Sequence, residues 1–217
     1  MEHSSQQLAH SLLKISAIKL QPYSPFTWVR GWRSPIYTDN RVMLSYPWLR
    51  NTIKIELARL VLEHFAGAEV IASVTIGAIA PGAIVADALG LPFVYVRDKA
   101  KDHGLENTIE GDIKPGQKVV LVEDIISTGA NCVQAARSVA IAGGEVMGVA
   151  ALFSYEFDVA RDTLEREGLC LVALTGYHAM LEAAVATRYI KPSDLAMLEQ
   201  WHDDPENWTP PALSFEL

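Results

Sequence analysis

The sequence predicts an α/β fold: a central parallel sheet flanked by helices, with a small hood from the N-terminal segment and the C-terminal tail. Three observations predict it. Between residues 70 and 174, short apolar runs alternate with helix-length amphipathic segments, the order that parallel strands and their crossover helices leave in a sequence. The run Val119-Val120-Leu121-Val122 has no polar alternation, as a strand buried on both faces requires. The chain has 217 residues, half of them hydrophobic and a fifth charged, enough for one domain whose core needs no disulfide.

In order, Leu8, Leu12, Ile15 and Ile18 stand at helical spacing within residues 6–19, and a loop rich in aromatics and proline follows over 21–47. A helix is expected over 48–65, with Ile53, Leu57, Leu60, Val61 and Phe65 on one face. The alternation then gives strand 70–76, helix 81–89, strand 93–97, a polar loop 98–116 and strand 118–124. Helix 131–142, strand 145–153, helix 157–168 and strand 169–174 complete it. Residues 1–217 read as a single domain with its core over about 48–175 and residues 1–47 as a hood. Ligands of such sheets bind beyond the carboxyl ends of the strands.

The formal charge of −8 and a pI near 5.2 argue against a nucleic-acid surface, where many cations must displace counterions. A local cationic pocket remains open. The most apolar region, 70–96, is broken by Pro81-Gly82, Asp87, Gly90 and Pro92, short of the about 20 continuous apolar residues of a membrane span. The N-terminus has no basic start or apolar stretch of a signal peptide. Cys132 and Cys170 form no CxxC pair. A cytoplasmic protein with reduced thiols is expected.

The stretch Val119 to Asn131 carries the chemistry. An apolar strand delivers Glu123 and Asp124, and a loop of hydroxyl and small residues, Ser127-Thr128-Gly129-Ala130-Asn131, opens the next helix. Carboxylates accept hydrogen bonds from vicinal ribose hydroxyls, while amides at a helix N-terminus cradle a phosphate. A strand end followed by an N-capped helix also explains such residues, but four apolar residues ahead of a tandem acidic pair favour the ligand site. The pattern resembles the donor-binding signature of the type I phosphoribosyltransferases. It lacks the Gly-Lys-Ser/Thr ending of a Walker A loop.

A second segment, Tyr95 to Gly111, gathers Arg97, Lys99, Lys101 and His103 in an acidic chain. Charge runs are often solvated connectors, yet this one is longer than a crossover needs. Arg97, Lys101, Asp102, His103 and Gly104 look like the mobile catalytic loop of the orotate phosphoribosyltransferase family. Phe26-Thr27-Trp28, Gly31, Ser34-Pro35-Ile36-Tyr37 and Asp39-Asn40-Arg41 resemble that family's N-terminal base-site region. The resemblance runs from about Phe26 to Glu145. It departs at Val29 and Asp98, where many members carry Lys, and at Ser154-Tyr155-Glu156, where many have an Arg that contacts the orotate carboxylate. Arg30 or Arg33 could take that place.

The resemblance implies transfer of the phosphoribosyl group from phosphoribosyl diphosphate to orotate, giving orotidine 5′-monophosphate and diphosphate, in pyrimidine biosynthesis. It implies Arg97, Lys101, His103 and Asp124 as catalytic residues. The donor would be bound by Arg97, Lys101, His103, Glu123, Asp124, Ile125, Ile126, Ser127, Thr128, Gly129, Ala130 and Asn131, and orotate by Ser127. Mg²⁺ would be held mostly by donor oxygens, so no residue is assigned to metal. A homodimer that shares the mobile loop across subunits is also implied. Backbone amides around Thr75–Ile79 are expected at the diphosphate, although a plain small-residue turn fits that segment equally well.

The other histidines share no ligand spacing, and Trp201-His202-Asp203-Asp204 reads as an exposed acidic helix end rather than an ion site. Cys132 in the first turn after the phosphate loop is either a thiol whose pKa helix amides lower or a small buried residue. Trp28, Trp32, Tyr37, Tyr46 and Trp48 suit base stacking, hood packing or a dimer surface equally. Two rivals stay open: a phosphoribosyltransferase for a purine base, and a non-catalytic nucleotide sensor on the same fold.

Overall fold

In this computed structural model the described residues are 2–28, 31, 33–97 and 108–210. They fall into two compact units, one of residues 43–177 and one built from 1–42 with 178–217.

The first helix, α1 (Glu2–Lys14), begins earlier and ends sooner than its apolar spacing predicts. Ser16 takes a left-handed φ of 60° and the Ala17 amide turns back to the Leu12 carbonyl at 3.0 Å. Ile15 and Ile18 therefore leave the helix, and strand pairing buries Ile18 instead: β1 (Ile18–Leu20) lies antiparallel to β4 (Ile36–Thr38). Between them β2 (Phe26–Thr27) pairs with β3 (Arg33–Ser34), so the segment expected to be loop carries short strands and then a 3₁₀ turn, Asn40–Ser45.

The larger unit opens with α2 (Pro47–His64), whose proline at the first helical position costs no hydrogen bond. Leu49, Ile53, Leu57, Leu60 and Val61 face inward. Then come β5 (Val70–Val74), α3 (Ile79–Leu89), β6 (Phe93–Val96), β7 (Ile109–Glu110) and β8 (Lys118–Ile126). They are followed by α4 (Ala130–Ile141), β9 (Glu145–Ser154), α5 (Asp158–Arg166) and β10 (Leu171–Gly176). The sheet order is β10-β9-β8-β5-β6-β7. Five strands are parallel, as the alternation predicts, and β7 adds an antiparallel edge. That edge strand lies in the segment expected to be loop. It closes against β6, and the Arg97 amide donates to the Thr108 carbonyl at 2.7 Å.

The helices flank the sheet on both faces. α2 and α3 pack together on the face that carries Ser73, whose hydroxyl donates to the Ala78 carbonyl at 2.7 Å. A Cβ on Gly82 would overlap that hydroxyl, so glycine lets α3 lie close to the sheet. α4 and α5 cover the opposite face, where Val70, Val119, Leu121, Val149 and Ala151 form the core with Val133, Val139 and Leu164. β8 sits inside this sandwich with every residue from Val119 to Asp124 buried.

The smaller unit is completed by the end of α6 (Tyr177–Ala186) and by α7 (Leu195–Asp203). Trp201 is fully buried there; its indole N–H donates to the Arg33 carbonyl at 3.3 Å and its ring meets Trp28 edge-on at 5.7 Å. Trp28 donates in turn to the Ile36 carbonyl at 3.2 Å. Packing within the unit thus accounts for Trp28.

Candidate functional site

The carboxyl end of the parallel sheet is where chain polarity gathers exposed amides, and two turns supply them. The first follows β8. Strand pairing ends at Ile126, whose carbonyl receives the Tyr155 amide at 2.9 Å. Gly129 then takes φ 75° as the N-cap of α4, with no side chain capping the helix. The amides of Ser127 through Cys132 donate to no acceptor among the described residues, and the hydroxyls of Ser127 and Thr128 are likewise uncommitted. Consecutive free N–H groups at a helix start form a concavity of positive potential sized for a phosphoryl group.

The second turn joins β5 to α3. The Thr75–Ile76 peptide is cis, and the amides of Ile76, Gly77 and Ala78 have no acceptor among the described residues. β5 and β8 are neighbours, so the two turns stand side by side, roughly one strand spacing of about 4.8 Å apart at their roots.

Between them lies the acidic pair. Adjacent residues of a strand point to opposite faces, and the sheet register places Glu123 beside Ala151, on the face that α4 covers. Asp124 turns to the other face, toward the β5–α3 turn, where its carboxylate occupies the space that a Cβ on Gly77 would need. Asp124 is 9% exposed and Glu123 5%. The Asp124 amide donates to Glu123 Oε1 at 3.1 Å, and Glu123 Oε2 meets no donor among the described residues. Burial first, and then the Asp124 carboxylate beside it, push the Glu123 carboxyl well above its ordinary range.

Cys132 sits in the first turn of α4 and is buried. The helix N-terminus does not lower its pKa: burial, then the carboxyls of Glu123 and Asp124, push the thiol well up. Of the two sequence readings, the small buried residue holds.

The structure therefore brings Glu123, Asp124, Ile125, Ile126, Ser127, Thr128, Gly129, Ala130 and Asn131 onto one strand, one turn and one helix start. Arg97 follows β6, two strands from β8, and pairs with Glu110 at 3.4 Å. Lys101 and His103, with Asp98, Lys99, Asp102 and Gly104, lie outside the described residues, as do Val29, Arg30 and Trp32. Sequence reasoning took in Gly77 as part of the Thr75–Ile79 turn but missed its close approach to the Asp124 carboxylate, whose only signal was a glycine inside a small-residue turn at a strand end. No group of three or more His, Cys, Asp or Glu that could hold a metal occurs among the described residues. His202 packs edge-on against His178 at 5.2 Å. No helix among the described residues is long and apolar enough to cross a membrane.

The chain is similar to known proteins in sequence and in fold. The family model described as phosphoribosyl transferase domain matches residues 51–175. A protein of Bacteroides thetaiotaomicron named orotate phosphoribosyltransferase is 52% identical over 208 residues, covering 96% of this chain and 98% of its own. The crystal structure of orotate phosphoribosyltransferase from Aeropyrum pernix superposes with a TM-score of 0.74 at 26% identity, over 85% of this chain and 99% of that one. Leishmania donovani UMP synthase gives a TM-score of 0.79 at 27% identity, over 93% of this chain but 42% of that longer one.

Proposed function

Since the chain belongs to the orotate phosphoribosyltransferase family, within the phosphoribosyl transferase domain proteins, we propose that it joins the 5-phosphoribosyl group of phosphoribosyl diphosphate to orotate. The products are orotidine 5′-monophosphate and diphosphate. The observation that carries the reading is the row of uncommitted amides from Ser127 to Cys132, one turn beyond Asp124.

In this reading the 5′-phosphate sits on those amides and on the Ser127 and Thr128 hydroxyls, with Ser127 also toward the base. Asp124 accepts hydrogen bonds from the ribose hydroxyls, and the amides of Ile76 to Ala78 face the diphosphate. Three anchors on one donor fix the anomeric carbon in line with the attacking ring nitrogen of orotate. As the bond to diphosphate breaks, charge grows on the leaving oxygens, and Arg97, Lys101 and His103 are the cations assigned to meet it. Exclusion of water protects the donor from hydrolysis.

Mg²⁺ fits this site as an ion carried in on the donor. Mg²⁺ would be held mostly by donor oxygens and water, since it usually takes few protein ligands. When bound it would neutralise diphosphate charge.

A homodimer suits the exposed apolar side chains of Trp48, Ile55 and Leu62, which recur at seven-residue spacing along α2. A cytoplasmic setting suits two unpaired cysteines.

The test is direct. Orotate absorbance should fall when the protein, phosphoribosyl diphosphate and Mg²⁺ are combined, with one diphosphate released per orotate consumed. Turnover with adenine or hypoxanthine but not orotate would replace the base in this reading, and no diphosphate release with any base would end it.

A further inference from the structure

Left-handed backbone is uncommon outside glycine, and among the described residues Ser16, Glu156 and Arg188 adopt it. Ser16 and Arg188 follow the ends of α1 and α6, where a left-handed residue closes a helix. Glu156 follows a strand, β9, and no helix end accounts for its φ of 59°. The residue is tied at both backbone and side chain. Its amide donates to the Ser154 hydroxyl at 3.0 Å, and its carboxyl group fills the space that a Cβ on Gly176 would need. Gly176 is the last residue of β10 and pairs with Ser154 in the ladder. One residue before Glu156, the Tyr155 amide donates at 2.9 Å to the carbonyl of Ile126, the root of the turn that carries the free amides of Ser127 to Cys132. One residue after it, Phe157 is the N-cap of α5, and a Cβ on Gly129 would meet Leu164 and the Ala160 carbonyl of that helix.

From this placement we propose that Glu156 is a positioning residue for the phosphate turn after β8. Glycine would take the same φ without strain, so what the strain retains is the side chain; such strain persists where surrounding contacts over-determine it. Hooked over Gly176, Glu156 holds residues 154–157 against the end of β10. That segment grips the Ile126 carbonyl through Tyr155, and it sets where α5 starts and how closely α5 bears on Gly129. Both restraints converge on the residues that offer amides to the donor's phosphate. Glu156 acts through the Tyr155 amide and through α5, and touches no reacting atom. An oxygen acceptor of the same reach is all that the role requires, and glutamine offers one.

The inference rests on the proposed donor site. Donor affinity is read by calorimetry with phosphoribosyl diphosphate and Mg²⁺, and kcat and both KM values by orotate turnover. Glu156→Gly keeps the φ and loses the hook. It should raise donor Kd and donor KM about fivefold or more, the scale of one lost polar contact, while kcat at saturation and orotate KM stay within about twofold. Glu156→Gln should remain within about twofold of the parent in every constant. If the glycine variant does not fold, Glu156→Asn is read in its place, since asparagine tolerates left-handed backbone but its side chain is a methylene shorter. Parental kinetics with only a lower melting temperature would make Glu156 a plain structural tie and overturn the proposal. A rise in orotate KM at constant donor KM would also overturn it, by setting Glu156 against the base. So would a fall in kcat at saturation, or a Glu156→Gln loss equal to that of Glu156→Gly, which would trace the effect to charge. A parent protein that binds no phosphoribosyl diphosphate fails earlier: it removes the donor site, and this proposal with it.

Discussion

Residue by residue, the acidic pair couples two carboxyls whose backbone positions face opposite sides of the sheet. Glu123 and Asp124 differ by one backbone unit, yet the pleat sends one beneath a helix and the other toward a turn. This has a pH consequence. In an unfolded chain Glu123 would titrate near its ordinary value of 4.5; in the folded protein burial and Asp124 raise it. Between those two values the folded state holds a proton that the unfolded state has released, so this group's contribution to stability is complete below the lower value and drains away as pH rises. A glutamine side chain at this position carries no such proton. The melting temperature of Glu123→Gln, measured against that of the parent protein, should therefore climb as pH rises above 4.5 and level off once the folded carboxyl has ionised. Parallel melting curves across that window would mean that the carboxyl ionises freely in the fold. The sequence made the pair legible as a candidate site, but not which face each residue takes, because facing depends on which helix covers which side of the sheet.

At the scale of elements, the site is assembled from two turns that follow neighbouring strands, and their glycines have different duties. Gly129 bends the backbone to φ 75° so that α4 starts without a side-chain cap. Gly77 bears no such strain; it gives up a side chain so that the Asp124 carboxylate can lie against its backbone. Gly77→Ala should thus fold with a melting temperature close to the parent's while raising donor KM about 10- to 100-fold, the scale expected when a positioned group moves by about an ångström. A large loss of stability with normal KM would assign the glycine to backbone conformation instead. The strands and helices of the larger unit follow their apolar runs closely, since a strand such as Val119–Val122 has no alternative but to be buried. Ends are where reading fails. The helix predicted to reach residue 19 stops at Lys14 because Ser16 turns left-handed, and β7 emerges from a polar stretch because an open sheet edge has hydrogen bonds to fill. Neither cause leaves a periodic trace.

For the whole molecule, the exposed stripe on α2 bears on assembly. Leu62 is 64% and Ile55 59% exposed on a helix whose opposite side is packed. Leu62→Glu should shift a sedimenting dimer toward monomer, weakening self-association about tenfold or more, and change the stability of the isolated chain by no more than about 0.5 kcal/mol. An unaltered sedimentation profile would move the dimer surface elsewhere. Fold class was legible because alternation over a hundred residues is a property of the entire sheet. A hood drawn from both chain ends was legible too, but not its contacts: Trp28 and Trp201 are neighbours in space yet belong to opposite ends of the chain, and composition records no such pairing.

That pairing of distant ends carries a consequence for biosynthesis. Residues 1–42 emerge from the ribosome first, but the segment that completes their unit begins only at His178. The nascent N-terminus must wait with Trp28 and the Arg33 carbonyl lacking their Trp201 neighbour, while the sheet of residues 43–177 has every strand it needs. Completion of the smaller unit thus waits until the segment after His178 has been made, and a product truncated before it leaves an apolar surface that chaperones would have to guard.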